Sequence, residues 1–136
     1  MNRIAIQDAL YEAIVEHNFT PLLSPTVDTS TPIEKLPAVW CAPLKLLEKR
    51  GRNSGQIDYY LELALIYPSS DKSYEDKMVI LGGMEDSILS ILSSLSLNER
   101  VVLLDDISLE VATKSLTKFG DLSMQATANI TTYFGN

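Results

Sequence analysis

The sequence predicts an α+β fold, in which two helices pack on one face of an antiparallel β-sheet. Residues 56–68 alternate between apolar and mixed positions, as a half-buried strand does. Apolar residues recur at helical spacing near the start of the chain and again over residues 77–95. The order of helix, long connection, two strands, helix and further strands suits helices that are segregated on one face of a sheet.

The composition indicates one domain, residues 1–136. A chain of 136 residues with 46% hydrophobic content can bury a core but is too short for two ordinary domains. The net charge of -7 argues against binding to nucleic acid phosphates and to acidic membranes. Acidic residues interrupt the apolar start of the chain, so we expect no signal peptide there, and we expect no later segment to span a bilayer. The single Cys41 cannot form an internal disulfide, which suits the cytoplasm or a particle assembled there.

The first helix is predicted over Ile4–His17, and a long connection follows it. Its apolar stripe is Ile6, Leu10, Ala13 and Ile14. The connection Phe19–Pro37 holds four of the six prolines, which excludes a helix interior and a central strand. A connection of this length is either mobile or a docking arm. Its apolar residues favour an arm, which we expect to be mobile alone and protected on assembly: Leu22, Leu23, Val27 and Ile33.

A β-hairpin is predicted over residues 38–67. Its first arm, Ala38–Glu48, has a break or bulge at Pro43, and a glycine-containing turn leads to the second arm, Gln56–Pro68. The second arm directs six residues to the core: Ile57, Tyr59, Leu61, Leu63, Leu65 and Tyr67.

Ser73, three residues before Asp76, predicts the N-cap of a second helix that runs to Asn98. Gly82 and Gly83 lie inside this helix and predict a kink or a close backbone contact. The stripe predicted to face the core begins at Lys77 and continues with the apolar residues Leu81, Met84, Ile88, Leu92 and Leu95. Three strands are predicted after the helix: Arg100–Leu104, Ile107–Ala112 and Leu122–Phe134.

No residues in the sequence form a recognisable catalytic, cofactor or metal site. His17 is the only histidine, and Cys41 has no base near it in the sequence. One cysteine and one histidine cannot build a zinc site. Adjacent acidic pairs, Asp105 with Asp106 and Glu85 with Asp86, are usually solvated rather than catalytic.

Three basic residues cluster at the predicted hairpin tip, namely Lys49, Arg50 and Arg52. They are open to two interpretations. One is a solvated turn that keeps the chain soluble. The other is a cationic finger that meets an acidic neighbouring subunit, which makes these residues candidates for a subunit interface.

The order of motifs resembles the tail-completion or tail-terminator proteins of long-tailed bacteriophages. The helix at Ile4–His17 is followed by LPAVWCAPLKLLEKRGRNSGQIDYYLELALIYP, which is similar to that family's strand, charged turn and strand. A helix that carries MEDSILSILSSLSLNERV and a closing strand that ends in TANITTYF follow in the same order.

This resemblance implies a structural protein of the virion rather than an enzyme, with no cofactor. The implied partners are further copies in a ring, commonly hexameric, together with the tail tube and the head-completion proteins that the ring joins. The location implied is the virion, assembled in the bacterial host cytoplasm. Two alternatives are another neck protein of the head-to-tail junction and a small cytosolic protein-binding module of the adaptor or immunity type.

Overall fold

The computed structural model describes residues 2–68, 73–96, 103–118 and 120–135. Within these residues the elements, in chain order, are α1 (Asn2–Glu16), β1 (Thr20–Leu23), a short 3-10 helix (Ile33–Lys35), β2 (Ala38–Cys41), β3 (Lys45–Gly51), β4 (Gly55–Pro68), α2 (Tyr74–Ser96), β5 (Leu103–Val111) and β6 (Asp121–Phe134). Two helices beside one sheet confirm the predicted α+β class.

The strands form one sheet with β4 at its centre. The order is β1-β2-β4-β6-β5, and β3 also pairs with β4. On one side, β4 pairs with β6 along its whole length, from Gly55 opposite Phe134 to Pro68 opposite Asp121. On the other side, β2 and β3 follow each other along β4. All of these pairs are antiparallel, but β1 lies parallel to β2, so the sheet is mixed rather than purely antiparallel.

Both helices pack on the same face of the sheet, as predicted. The α1 stripe is buried, and the helix ends where Asn18 adopts a left-handed conformation, with φ of 66°. This geometry lets Phe19 N–H donate to Ile14 O at 3.2 Å, which satisfies a carbonyl of the last turn. The core on this face also contains the inward residues of β4 and α2: Tyr59, Leu61, Leu63, Leu65, Met84, Ile88, Ile91, Leu92 and Leu95.

The second helix begins as predicted and continues unbroken past its two glycines. Asp76 N–H donates to Ser73 Oγ at 3.2 Å, so Ser73 is the N-cap. From Tyr74 to Ser96 the helix is unbroken, and an added Cβ at Gly82 or Gly83 would meet no atom within 4 Å. The predicted close backbone contact is therefore wrong, because both glycines lie on the exposed side of the helix. The alternative, a kink, stays a prediction. The predicted end at Asn98 lies outside the described residues.

By length and composition alone, the 22 residues Tyr74–Leu95 could cross a membrane. The expectation that no segment is long and apolar enough is therefore wrong by that criterion. In this fold, however, one side of α2 packs on the sheet through fully buried side chains such as Met84 and Ile88. Glu85 and Asp86 lie exposed between these two residues, where a membrane-spanning helix would carry unpaired charge.

The predicted hairpin is present, with its first arm divided. β2 and β3 are separated by residues 42–44, which include Pro43, and a further bulge lies between Leu46 and Glu48. The predicted strands Arg100–Leu104 and Ile107–Ala112 are one bulged strand, β5, within the described residues. Arg100 itself lies outside them. The last strand agrees with the prediction to within one residue.

The connection Phe19–Pro37 docks on the same chain. Its first residues form β1, which the sequence analysis did not predict, and Pro21 is tolerated there because β1 is an edge strand. Residues further along cover part of the sheet face opposite the helices. A second apolar cluster forms under this cover: Leu22, Val27, Leu36, Ala38, Trp40, Ala42, Ala64, Ile66 and Leu116.

Candidate interaction surface at the sheet edges

The residues that sequence reasoning examined for catalysis are structural or isolated. His17 Nδ1 lies 2.7 Å from Ala13 O at the end of α1. Cys41 is buried in β2, and burial raises the pKa of its thiol to about 12. A thiol with this pKa is almost entirely protonated at neutral pH, so Cys41 is not an activated nucleophile. Among the described residues, no three His, Cys, Asp or Glu side chains come together as a metal site.

A buried carboxylate that sequence reasoning missed organises the loop before β6. Asp121 accepts hydrogen bonds from Leu116 N–H at 3.1 Å, Thr117 N–H at 2.7 Å and Thr117 Oγ1 at 2.9 Å, and from Ser123 Oγ. These bonds hold Leu116, Thr117 and Ser123 around the carboxylate, so its role is structural. The signal in the sequence was an Asp directly after Gly120, preceded by Ser and Thr residues.

The four predicted arm residues do not form one surface. Leu22 and Val27 pack against the second apolar cluster and are partly buried. Leu23 and Ile33 are exposed. Trp40 Nε1–H donates to Ser24 O at 3.0 Å, which holds the start of the arm against β2.

The three basic residues of the predicted tip belong to a longer basic edge, which we define as Lys45–Arg52. All seven residues of β3 are exposed, and the basic edge carries four basic residues against the single acid Glu48. Arg50 Nη2 donates to Glu48 Oε2 at 2.9 Å, and Lys49 Nζ lies 4.7 Å from the centre of the Phe134 ring. The hydrogen bond from Arg50, together with its charge, lowers the pKa of the Glu48 carboxyl. Glu48 therefore stays ionised beside its basic neighbours.

The opposite side of the sheet is an acidic edge, which we define as β5, Leu103–Val111. It contains Asp105, Asp106 and Glu110 and no basic residue, and all three acids are exposed. Its bulge lies between Asp105 and Ser108. Asp106 has φ of 52° there, and Asn129 Nδ2 donates to its Oδ2 at 2.8 Å. In the part of the chain that the structure describes, no strand pairs with the outer side of β3 or of β5.

In both edges, a leucine lies on the helix face of the sheet and charged residues lie on the opposite face. Leu46 is opposite Tyr59 in β4, and Leu104 is opposite Ile130 in β6, so both leucines lie on the helix face. The charged residues Lys45, Arg50, Asp105 and Glu110 are opposite residues of the other face: Tyr60, Gln56, Asn129 and Gln125. The sequence analysis identified the basic cluster but not its acidic counterpart, because the order of strands across the sheet is not a local property of the sequence.

No family model matches this chain, and no curated protein matches it. Among solved structures, it is similar to the core region of PilO from the type IV pilus system of Pseudomonas aeruginosa. The likeness has a TM-score of 0.35 at 17% identity and covers 93% of this chain and 92% of that one.

These comparisons overturn the phage interpretation. The structural neighbour named here belongs to a type IV pilus system, and no phage family matches the chain. The prediction of a phage tail-completion or tail-terminator protein that joins tail to head is therefore wrong, as are the virion and minor-tail functions attached to it. Self-association and the absence of enzymatic activity do not depend on that family, and they stay predictions.

Proposed function

We propose that this chain is a non-enzymatic structural subunit that associates head to tail with further copies of itself. The observation that supports the proposal is the opposite charge of the basic edge and the acidic edge. Unpaired strand edges invite pairing with other chains, and charged side chains restrict which edges can meet. Two basic edges repel each other, as do two acidic edges, so only contact between unlike edges is favoured.

The direction of the strands suits this contact. β3 is antiparallel to β4, β4 to β6, and β6 to β5, so β3 and β5 of one chain run in opposite directions. A second copy in the same orientation would therefore place its β3 antiparallel beside the β5 of the first. Both copies would then keep their helices on the same side of the extended sheet. Such a contact is heterologous, so it closes into a ring or continues as a filament according to the rotation between copies.

The spacing of the charges also matches. Lys45 and Arg50 are five residues apart, as are Asp105 and Glu110, and each interval contains one bulge. In an antiparallel arrangement that sets Lys45 of one copy beside Glu110 of the next, Arg50 lies beside Asp105. All four side chains lie on the sheet face opposite the helices, where they can pair across the contact.

Sedimentation velocity and light scattering test this proposal, with negative-stain microscopy to distinguish rings from filaments. The variant Lys45→Glu with Arg50→Glu should weaken association about tenfold or more, because it replaces attraction with repulsion. Adding Asp105→Lys and Glu110→Lys to the same chain should restore association. Lys35→Glu with Lys77→Glu makes the same change in net charge away from both edges and should leave association unchanged.

A wild-type chain that stays monomeric at its highest soluble concentration would overturn the proposal and favour a monomeric binding module. Equal weakening by the Lys35 and Lys77 control would also contradict it, since association would then depend on net charge rather than on the edges.

A further inference from the structure

A groove on the helix face lies directly beside the acidic edge. It has a volume of about 360 Å³ and is lined by Leu89, Leu92, Ser93, Leu104 and Ile107, between α2 and β5. Leu92 forms its floor and is 1% exposed, whereas Leu89 and Ile107 form its rim and are 41% and 43% exposed. Four of the five lining residues are apolar. We call this surface the α2–β5 groove.

We propose that the α2–β5 groove of one copy receives Leu46 from the β3 strand of the next copy at its Ile107 rim. This inference rests on the proposed head-to-tail association and names the apolar part of the same contact. Leu46 is 48% exposed in its own chain although it lies on the helix face. A leucine in this position gains burial only when another surface covers it.

The alternation of the two strands places Leu46 and the groove on the same side. If β3 of a second copy extends the sheet beyond β5, its helix-face residues lie on the side where α2 crosses β5. In the register that sets Lys45 beside Glu110, Leu46 lies opposite Leu109 and diagonal to Ile107 at the rim of the groove. Lys45 and Arg50 of that copy point to the other face, beside Glu110 and Asp105. One strand addition thus satisfies the apolar and the charged parts of the contact together, as in other recognition by added strands.

Single substitutions at each side of this contact test the inference. Leu46→Asp and Leu89→Asp should each raise the dissociation constant for self-association about tenfold or more, because each places a charge in an apolar contact. Ile33→Asp and Val79→Asp are matched controls at exposed apolar residues away from the groove and should change that constant less than about twofold. Circular dichroism and thermal melting confirm that each variant is folded.

The outcomes separate this inference from the proposed function. If the wild-type chain associates and charge reversal on the basic edge weakens association, but Leu46→Asp and Leu89→Asp act like the controls, the groove does not receive Leu46 and only this inference fails. If the wild-type chain does not associate, both fail.

Disulfide trapping gives a second, direct measurement. In a Cys41→Ala background, chains with Leu46→Cys mixed with chains with Leu109→Cys, the residue opposite Leu46 in this register, should form a disulfide between copies under mild oxidation. A mixture of Ile33→Cys with Leu109→Cys chains is the matched control and should not crosslink above background. Equal crosslinking of both mixtures, or none in either while association persists, would overturn the placement of Leu46.

Discussion

At the scale of single residues, Cys41 links burial to a pH dependence of stability. The pKa of its thiol is raised from 9.0 to about 12 because the side chain is buried in β2. The unfolded chain therefore loses this proton at a lower pH than the folded chain does. The stabilising contribution is complete below pH 9 and is lost as the pH rises from 9 towards 12.

Urea unfolding should show that the free energy of unfolding of the wild-type chain falls by about 1.4 kcal/mol more than that of Cys41→Ala for each pH unit above 9. The alanine variant is the control because it keeps every other titrating group. Parallel pH curves for the two chains would contradict the prediction.

Asp121 makes a second prediction at this scale. In Asp121→Asn, an NH₂ group that donates hydrogen bonds replaces one carboxylate oxygen that accepts them. The single remaining oxygen cannot accept from Leu116 N–H, from Thr117 N–H and from the hydroxyl groups of Thr117 and Ser123 at once. Buried donors left without partners cost about 1–3 kcal/mol of folding free energy. Chemical denaturation should show a loss in this range for Asp121→Asn. The exposed substitution Glu12→Gln should change stability by less than about 0.5 kcal/mol, and an equal loss in both variants would refute a special role for Asp121.

At the scale of elements, helix α2 contains two glycines whose replacement by alanine should stabilise the protein. Gly82 and Gly83 occupy exposed positions of an unbroken helix, and an added Cβ at either position has no atom within 4 Å. Alanine at either position should raise the free energy of unfolding by about 1 kcal/mol, because glycine is a poorer helix former in such a position. Thermal or urea unfolding measures this directly. A loss of stability in either variant would mean that the glycine is needed for a close contact.

The arm is the other element whose prediction changes. The sequence analysis expected all of Phe19–Pro37 to be mobile in the isolated chain. In the structure, Thr20 N–H donates to Pro37 O at 3.2 Å and Ser24 N–H to Cys41 O at 3.4 Å. We therefore expect the amides of Thr20 and Ser24 to exchange slowly in a monomeric sample at low concentration, whereas those of the exposed residues Thr26 and Thr29 exchange fast. Uniformly fast exchange across these four residues would restore the original expectation.

Which elements could be predicted depends on how local their signals are. β4, β6 and both helices have periodic patterns long enough to identify from the sequence alone. β1 was missed because four residues that include Pro21 have no recognisable alternation. The strand is stabilised by pairing with β2 and by the packing of Leu22, neither of which is local in the sequence. The continuity of β5 was missed because its bulge interrupts the alternation.

At the scale of the whole molecule, the sheet separates charge in a way that the linear sequence conceals. The acidic net charge of -7 describes the chain as a whole, yet one sheet edge has an excess of basic residues and the other has only acidic ones. The basic cluster alone allowed a solvated turn or a subunit contact. Only the strand order shows that β3 and β5 lie at opposite edges, with unlike charge and matched faces. The sequence therefore predicted the basic half of the candidate surface but not the acidic half, because the two are related only by the order of strands in the sheet.

Head-to-tail association makes a prediction that a symmetric dimer does not. Leu46→Asp disables the basic edge of a chain but leaves its α2–β5 groove intact, and Leu89→Asp does the reverse. Each variant alone should be largely monomeric at concentrations where the wild-type chain associates. Mixed together, the two variants retain one intact contact, in which β3 of the Leu89→Asp chain meets the groove of the Leu46→Asp chain. The other ends of this pair carry an Asp on both sides and cannot extend it.

The mixture should therefore form a 1:1 complex of two chains and nothing larger, as measured by light scattering. The mixture of Ile33→Asp with Val79→Asp chains should instead associate to the same size as the wild-type chain. In an isologous contact, each subunit presents the same patch to its partner. If that patch contains both Leu46 and the groove, the contact closes at two chains, so the wild-type chain would itself stop at a dimer. The pair of variants would then keep one of its two equivalent groove contacts. A wild-type chain that assembles beyond two chains, together with a mixture that stops at two, thus identifies a head-to-tail contact. A wild-type chain that stops at two, or a mixture that assembles further or stays monomeric, would contradict it.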